Sequence, residues 1–280
     1  MHSARTVWSQ ASTATGSVIE ASFTEPRGVG VQFPLDVTDR PGGTNTSHTI
    51  AVDLLTSICN AVSASATKDD YRRVAVEENL LGKATLAGRM RAYRYLRELY
   101  LLDPSELLFR ALRDLWDEDP AARPLMAGLV AYARDSAFRA SSAAIFSARI
   151  GDRVTSNDLA NAVIQVYPDV YSPATANKIG RNTGSSWTQT GHLTGRSSKV
   201  RSQAGARPAS VALALLLGHL QGTRGLALMS TQWTKFLDLA SHEVETLAKQ
   251  ANVRGYVEFR SSGDIVDISF RHLLRPMEAV

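Results

Sequence analysis

Five polar side chains with the chemistry of DNA recognition are grouped within twelve residues of this sequence: Lys178, Arg181, Asn182, Ser185 and Gln189. Lysine and arginine pair with guanine edges, asparagine and glutamine pair with adenine, and serine bonds to phosphate. Three more cations follow closely and could neutralise backbone phosphates: Arg196, Lys199 and Arg201. These eight residues are the candidate DNA-binding residues of the chain.

The charge of the chain is unevenly placed, although its net value is only +4, from 31 basic and 27 acidic residues. No acidic residue occurs between Asp169 and Asp238, a span of 68 residues that contains eight lysines and arginines. Seven carboxylates instead crowd between Glu98 and Asp119. Because phosphate neutralisation dominates non-specific nucleic-acid affinity, the acid-free span favours a nucleic-acid partner.

Two helices and a short turn would position these residues. Thr155 and Asp158 predict a capped helix over 156–166, and Ser172 with Pro173 predicts a second helix that ends near Gly191. This spacing is typical of a helix-turn-helix. One face of the second helix is expected to be core, and it consists of Ala176, Ile179, Thr183 and Trp187. Residues 191–201 could form a wing or arm along the phosphate backbone.

The whole chain is predicted to be mainly α, a helical bundle followed by a winged-helix-like or helix-turn-helix domain with a C-terminal β-hairpin. Helical periodicity and start signals fill residues 49–150, the predicted bundle. Residues 151–280 form the basic domain, and alternating apolar runs at 256–260 and 265–270 predict its hairpin. Residues 1–48, rich in Ser, Thr and Gly, predict a flexible N-terminal extension.

Several classes of protein are disfavoured. The single cysteine, Cys59, excludes an internal disulfide, and the six histidines lack metal-binding spacing. The longest apolar run, Val211–Leu217, is far too short for a membrane span, and no signal peptide is recognisable. We therefore expect a cytoplasmic, non-enzymatic protein without cofactor or metal.

Alternative functions remain open. Helix pairs joined by a short turn are common in helical proteins, and a polar helix face is often merely solvated. A basic surface also suits a protein–protein adaptor that docks an acidic partner. A transcriptional regulator is a further alternative. RNA binding is less favoured, because the one aromatic residue placed for base stacking, Trp187, is expected to be core.

An ordered series of short segments resembles the BrxA family, accessory proteins of BREX bacteriophage-exclusion systems. It begins with Glu77–Leu81, Leu96–Asp103 and Leu115–Trp116. It continues through the segments 123–125, 133–135, 171–172, 178–182, 185–187 and 191–193, and it ends with Gly263–Ser269. The series covers about residues 68–272, and no single motif in it is diagnostic.

This resemblance implies a mainly helical two-domain protein that binds double-stranded DNA without known catalysis. It also implies partners in phage defence, namely a methyltransferase, an ATPase and a phosphatase-like protein. The family supplies no residue-level DNA contacts that carry over to this chain, so the candidate residues rest on charge and helix placement.

Overall fold

The computed structural model describes residue 37, residues 39–263 and residues 265–276. The protein is mainly helical with a small antiparallel hairpin near the C-terminus, so the predicted fold class is confirmed. Among these residues, no helix has both the length and the apolar character that crossing a bilayer requires.

The first half of the described chain is built from six helices. They are α1 (Val52–Ala61), α2 (Lys68–Arg72), α3 (Leu86–Tyr100), α4 (Leu107–Trp116), α5 (Arg123–Arg134) and α6 (Ser136–Ser147). Thr67 and Asp70 form a capping box at the start of α2. A π-helical segment, Arg73–Glu77, follows α2 directly, and a 3-10 turn, Pro120–Ala122, precedes α5.

The second half adds five helices and two short hairpins. The helices are α7 (Ser156–Val166), α8 (Pro173–Gln189), α9 (Pro208–Leu220), α10 (Gln232–Lys235) and α11 (Ser241–Val253). The strands are β1 (Leu193–Thr194), β2 (Val200–Arg201), β3 (Glu258–Ser262) and β4 (Ile265–Ser269). In the second hairpin, Phe259 pairs with Ile268.

The core centres on α9, whose residues 208–218 are all buried. This apolar helix packs against α4 and α5 from the first half and against α10 and α11 from the second. One continuous hydrophobic core includes both Ile50 and Trp187. The predicted division near residue 150 therefore separates two regions of sequence that share this core.

Helices α6, α7 and α8 form a three-helix unit that is followed by the β1–β2 hairpin. A satellite core includes residues of all three helices, among them Ala140, Val163 and Ile179. Arg153, just before α7, forms a bridge to Val200 of β2, which in turn pairs with β1. Along the chain these elements are one helix, a single bridging residue, two helices and a hairpin, which matches the predicted helix-turn-helix or winged-helix-like domain.

Two predicted boundaries differ from the structure. Asp103 followed by Pro104 is a sequence pattern that predicts a helix start at this point. The structure has a turn there, in which Asp103 accepts from Ser105 N, and α4 begins only at Leu107. The predicted flexible extension over 1–48 lies mostly outside the described residues. Its last part is not loose, because Thr44–Thr46 forms a 3-10 turn in which Asn45 is fully buried.

Gly180 allows α7 and α8 to pack closely, which generates a first prediction. A Cβ atom at this position would lie 2.0 Å from the backbone oxygen of Ser156. We expect Gly180→Ala to lower the free energy of unfolding by about 1–3 kcal/mol despite the better helix propensity of alanine. Urea denaturation followed by circular dichroism measures the change.

Gly205→Ala is the matched control, since a Cβ atom there meets no atom within 4 Å. Its stability should stay within about 0.5 kcal/mol of the parent chain. Equal stability of the two variants would contradict the close approach of α7 and α8.

Candidate nucleic-acid interface

Helix α8 presents two different polar stripes. Asn177, Lys178 and Arg181 lie on the exposed stripe, together with Ala174. The predicted core face is confirmed, since Ala176, Ile179, Thr183 and Trp187 are all buried. Asn177 was not among the sequence candidates, although its amide has the same chemistry as that of Asn182. Its spacing from Arg181, one turn of helix, is the signal that could have identified it.

Asn182 and Gln189 are corrected by the structure, because both are engaged inside the protein. The Asn182 amide donates to the backbone oxygen of Asn45 at 3.0 Å. The Gln189 side-chain oxygen accepts from the backbone N–H of Val52 at 2.9 Å, where it serves the N-terminus of α1. Both residues lie on the stripe of α8 that faces residues 45–52. They hold this segment in place and are not part of the exposed stripe.

Residues 191–201, predicted to form a wing or arm, contain the β1–β2 hairpin. We call this hairpin the wing. Leu193 pairs with Arg201 and Thr194 with Val200. The turn between the strands depends on Gly195, whose φ is +91° and whose missing Cβ atom would lie 2.1 Å from the oxygen of Ser198. Arg196 follows it at the exposed tip.

A cationic cleft of about 390 Å³, which we call the wing cleft, lies between the wing, α8 and the start of α7. Four of its lining side chains are cationic: Arg153, Arg181, Arg196 and Lys199. Four more carry hydroxyl groups: Thr155, Ser156, Ser185 and Ser197. No described residue that lines the cleft carries a carboxylate. This donor-rich composition suits a phosphate group.

Arg153 and the hydroxyls at the start of α7 are additions to the sequence candidates. They come from a region that is far from the wing in sequence. Backbone hydrogen bonds such as the one from Val154 N to the Lys199 oxygen, together with the bridge from Arg153 to Val200, join this region to the wing. The Asp158 carboxylate near this helix end accepts from Thr155 N at 2.7 Å and belongs to the helix cap.

Lys199 lies at the base of the wing and is only partly available. Its Nζ donates to Thr188 Oγ1 at 2.7 Å. Partial burial lowers the pKa of this lysine. Lys199 therefore contributes charge to the cleft from a fixed position, whereas Arg181 and Arg196 are exposed.

Arg201 is the clearest correction, since it is 5% exposed and cannot lie on a phosphate backbone. Its guanidinium forms a two-point ion pair with Asp238, with Nη1 to Oδ2 at 2.8 Å. Its Nε donates to the backbone oxygen of Ile145 at 3.0 Å. Arg201 thus joins the wing to α6 and to the segment after α10.

A buried histidine lies beside this ion pair. His192 Nε2 donates to the backbone oxygen of Phe236 at 2.8 Å, and its Nδ1 lies 2.7 Å from Thr190 Oγ1. Burial lowers the pKa of His192 to about 4, although Asp238 opposes the shift. The ring is therefore neutral at neutral pH and structural in role.

The acid-free span keeps only part of its positive charge for an external partner. Arg207 pairs with Asp119, with its Nε 2.7 Å from a carboxylate oxygen. Lys235 lies over the Phe146 ring, and Arg224 donates to the backbone oxygen of His219. On α8 and at the wing tip, the exposed cations of the span are Lys178, Arg181 and Arg196.

Comparisons with known proteins give no identification: no family model matches the chain, and no curated protein is a significant match. Within the part of the chain that the structure describes, no group of three or more His, Cys, Asp or Glu side chains is placed to hold a metal ion.

The internal role of Arg201 generates a second prediction. Arg201→Ala leaves Asp238 buried without its partner and should cost about 3–5 kcal/mol of unfolding free energy. Arg196→Ala removes an equal charge from the exposed tip of the same wing and should change stability by less than about 0.5 kcal/mol. Urea denaturation compares the two variants, and similar losses would contradict the assignment of Arg201 to the core.

The lowered pKa of His192 predicts a pH-dependent stability. Below pH 6.5 the His192 ring binds a proton in the unfolded chain, whereas in the folded protein it stays neutral until the pH nears 4. The contribution of the neutral His192 ring to the free energy of unfolding is therefore complete above pH 6.5 and is lost as the pH falls toward 4. From pH 7 to pH 5 the loss should be about 2 kcal/mol.

His192→Gln keeps a neutral polar side chain at this position but cannot titrate. The unfolding free energy of this variant should therefore change less between pH 7 and pH 5 than that of the parent chain. The difference between the two changes should be about 2 kcal/mol. A pH dependence that is unchanged in His192→Gln would rule out this histidine as the source.

Proposed function

We propose that this protein binds double-stranded DNA through the α8 stripe and the wing, without catalysing a reaction. The observation that supports the proposal is the wing cleft, where four cations and four hydroxyls meet and none of the described lining residues is acidic. Unbalanced positive charge on a helix-turn-helix surface is typical of duplex recognition.

In the proposed complex, the exposed stripe of α8 enters the major groove. Lys178 and Arg181 are suited to guanine edges or phosphates, and Asn177 to adenine. The wing tip places Arg196 along the adjacent backbone, and one phosphate occupies the wing cleft between Arg181 and Lys199. Ser185, which lines the same cleft, is a further donor to that phosphate.

The cellular setting rests on the resemblance of residues 68–272 to the BrxA family. We propose that the chain acts as an accessory factor of a BREX-type phage defence system, in the cytoplasm. Its partners there would be the methyltransferase, the ATPase and the phosphatase-like protein of that system. The DNA-binding surface would then bring duplex DNA to a complex whose enzymatic steps belong to those partners.

Fluorescence anisotropy with a labelled duplex, repeated across a salt series, tests the DNA-binding proposal. The informative variant combines Lys178→Ala, Arg181→Ala and Arg196→Ala, which are all exposed. We expect it to bind about 100-fold more weakly and to reduce the slope of log K against log salt by about 2 to 3. Its melting temperature should match that of the parent chain.

A matched control replaces three exposed arginines elsewhere, Arg72, Arg254 and Arg271, with alanine. It carries the same net charge and should retain most of the affinity. Equal weakening in both variants would mean that only net charge matters, which contradicts the site. Polyglutamate that competes as well as unlabelled duplex would instead favour the protein–protein adaptor.

A further inference from the structure

A second cleft, of about 480 Å³, lies on the opposite side of α8 from the wing cleft. We call it the α3 cleft, because α3 forms one wall and residues 47–54 form another. Asn182 of α8 completes the lining, whereas Arg181, its neighbour in sequence, lines the wing cleft. The two clefts therefore flank the exposed stripe of α8.

The α3 cleft combines an apolar floor with an aromatic wall. Leu54, Leu96 and Leu99 are among its apolar lining residues. The rings of His48 and Tyr95 pack together in the wall, with centroids 3.9 Å apart. An apolar surface bordered by aromatic rings accommodates a planar heterocycle and excludes water from its faces.

The rim of the α3 cleft is cationic. Lys83 and Arg91 line it, and neither makes an ion pair with a carboxylate of the described chain. The pKa of His48 is lowered by partial desolvation and then by four nearby cations: Lys178, Arg91, Lys83 and Arg94. Glu98 of α3 does not line the cleft. It pairs with Arg94 and accepts a hydrogen bond from Thr44 Oγ1.

We propose that the α3 cleft binds a nucleoside phosphate, with the base against the apolar floor and the aromatic wall and the phosphate on Lys83 and Arg91. A purely apolar ligand would leave these two cations unused, and inorganic phosphate would leave the floor exposed. The volume lies within the range of small-molecule sites. Asn182 uses its amide N–H for Asn45, and its side-chain oxygen is left as an acceptor for a base amino group.

This site goes beyond duplex binding, since a base paired inside a duplex cannot enter a cleft of this kind. The nucleotide could be free in solution or could belong to an unpaired strand end next to the DNA held by α8. Both sources present the same chemistry, and the experiment separates them.

Isothermal titration calorimetry with AMP, without DNA, tests the proposal directly. We expect a Kd below about 1 mM for AMP, and binding at least tenfold weaker for adenosine and for inorganic phosphate, because each lacks one half of the recognised group. A combined Lys83→Ala and Arg91→Ala variant should weaken AMP binding at least tenfold. Ala92→Phe, which places a ring in the cleft, should abolish it.

The control variant replaces Arg254 and Arg260, both exposed and remote in sequence, with alanine and should bind AMP like the parent. The combined Lys83→Ala and Arg91→Ala variant, which we call the charge variant, inserts no bulky side chain. The test therefore holds even if Ala92→Phe unfolds the chain. No binding of AMP up to about 5 mM by the folded parent would overturn the proposal, and so would equal binding by the parent and the charge variant.

A labelled single-stranded decamer distinguishes the two sources of the nucleotide. If AMP displaces it, the cleft accepts strand nucleotides, and if AMP binds without displacing it, the ligand is the free nucleotide. Both results support a nucleotide site. Failure of the DNA-binding proposal is seen separately, because the variant of Lys178, Arg181 and Arg196 leaves Lys83 and Arg91 in place.

Discussion

The placement of α8 depends on one buried hydrogen-bonded group centred on Asp135. Its carboxylate is fully buried, caps α6 by accepting from Phe138 N, and accepts from both the backbone and the side chain of Asn45. Asn45 in turn accepts from Ser186 Oγ at 2.6 Å and from Asn182 Nδ2 through its backbone oxygen. Burial raises the pKa of Asp135, and these donors offset part of that cost. The group ties residues before α1, the α5–α6 junction and α8 together.

This arrangement divides the polar residues of α8 into structural and exposed sets. Asn182, Ser186 and Gln189 repeat at helical spacing and hold residues 45–52. Because that segment then forms a wall of the α3 cleft, the same contacts that orient α8 also shape the cleft beside it. The opposite stripe is left exposed, with its cations free of carboxylate partners from the described chain. Fixing one side of a helix this firmly keeps the other side pre-organised for a ligand.

Local signals in the sequence were sufficient for most of the elements that position the site. The Thr155–Asp158 capping box and the Ser172–Pro173 start are both present, and α7 has its predicted bounds. The tertiary partners of the polar side chains could not be predicted from such local signals. A polar stripe on a helix looks the same whether it meets water or residue 45, and Arg201 gives no local sign that Asp238, 37 residues later, pairs with it. Arg153 was missed for the same reason, since backbone pairing with residues 199–201, distant in sequence, brings it to the wing.

The position of the balancing carboxylates explains how an acid-free span can be both well packed and still cationic. Asp119 and Asp238 lie outside the span, and each forms an ion pair with an arginine inside it. Asp238 neutralises the buried Arg201, whereas the exposed Arg207 neutralises the buried Asp119. A charge that enters a low-dielectric interior requires such a partner, whereas an exposed one does not. The remaining exposed cations of α8 and the wing tip therefore keep their full charge at no cost to folding. Acidic residues on the exposed face of α8 or in the wing would instead have weakened the positive potential that the wing cleft presents.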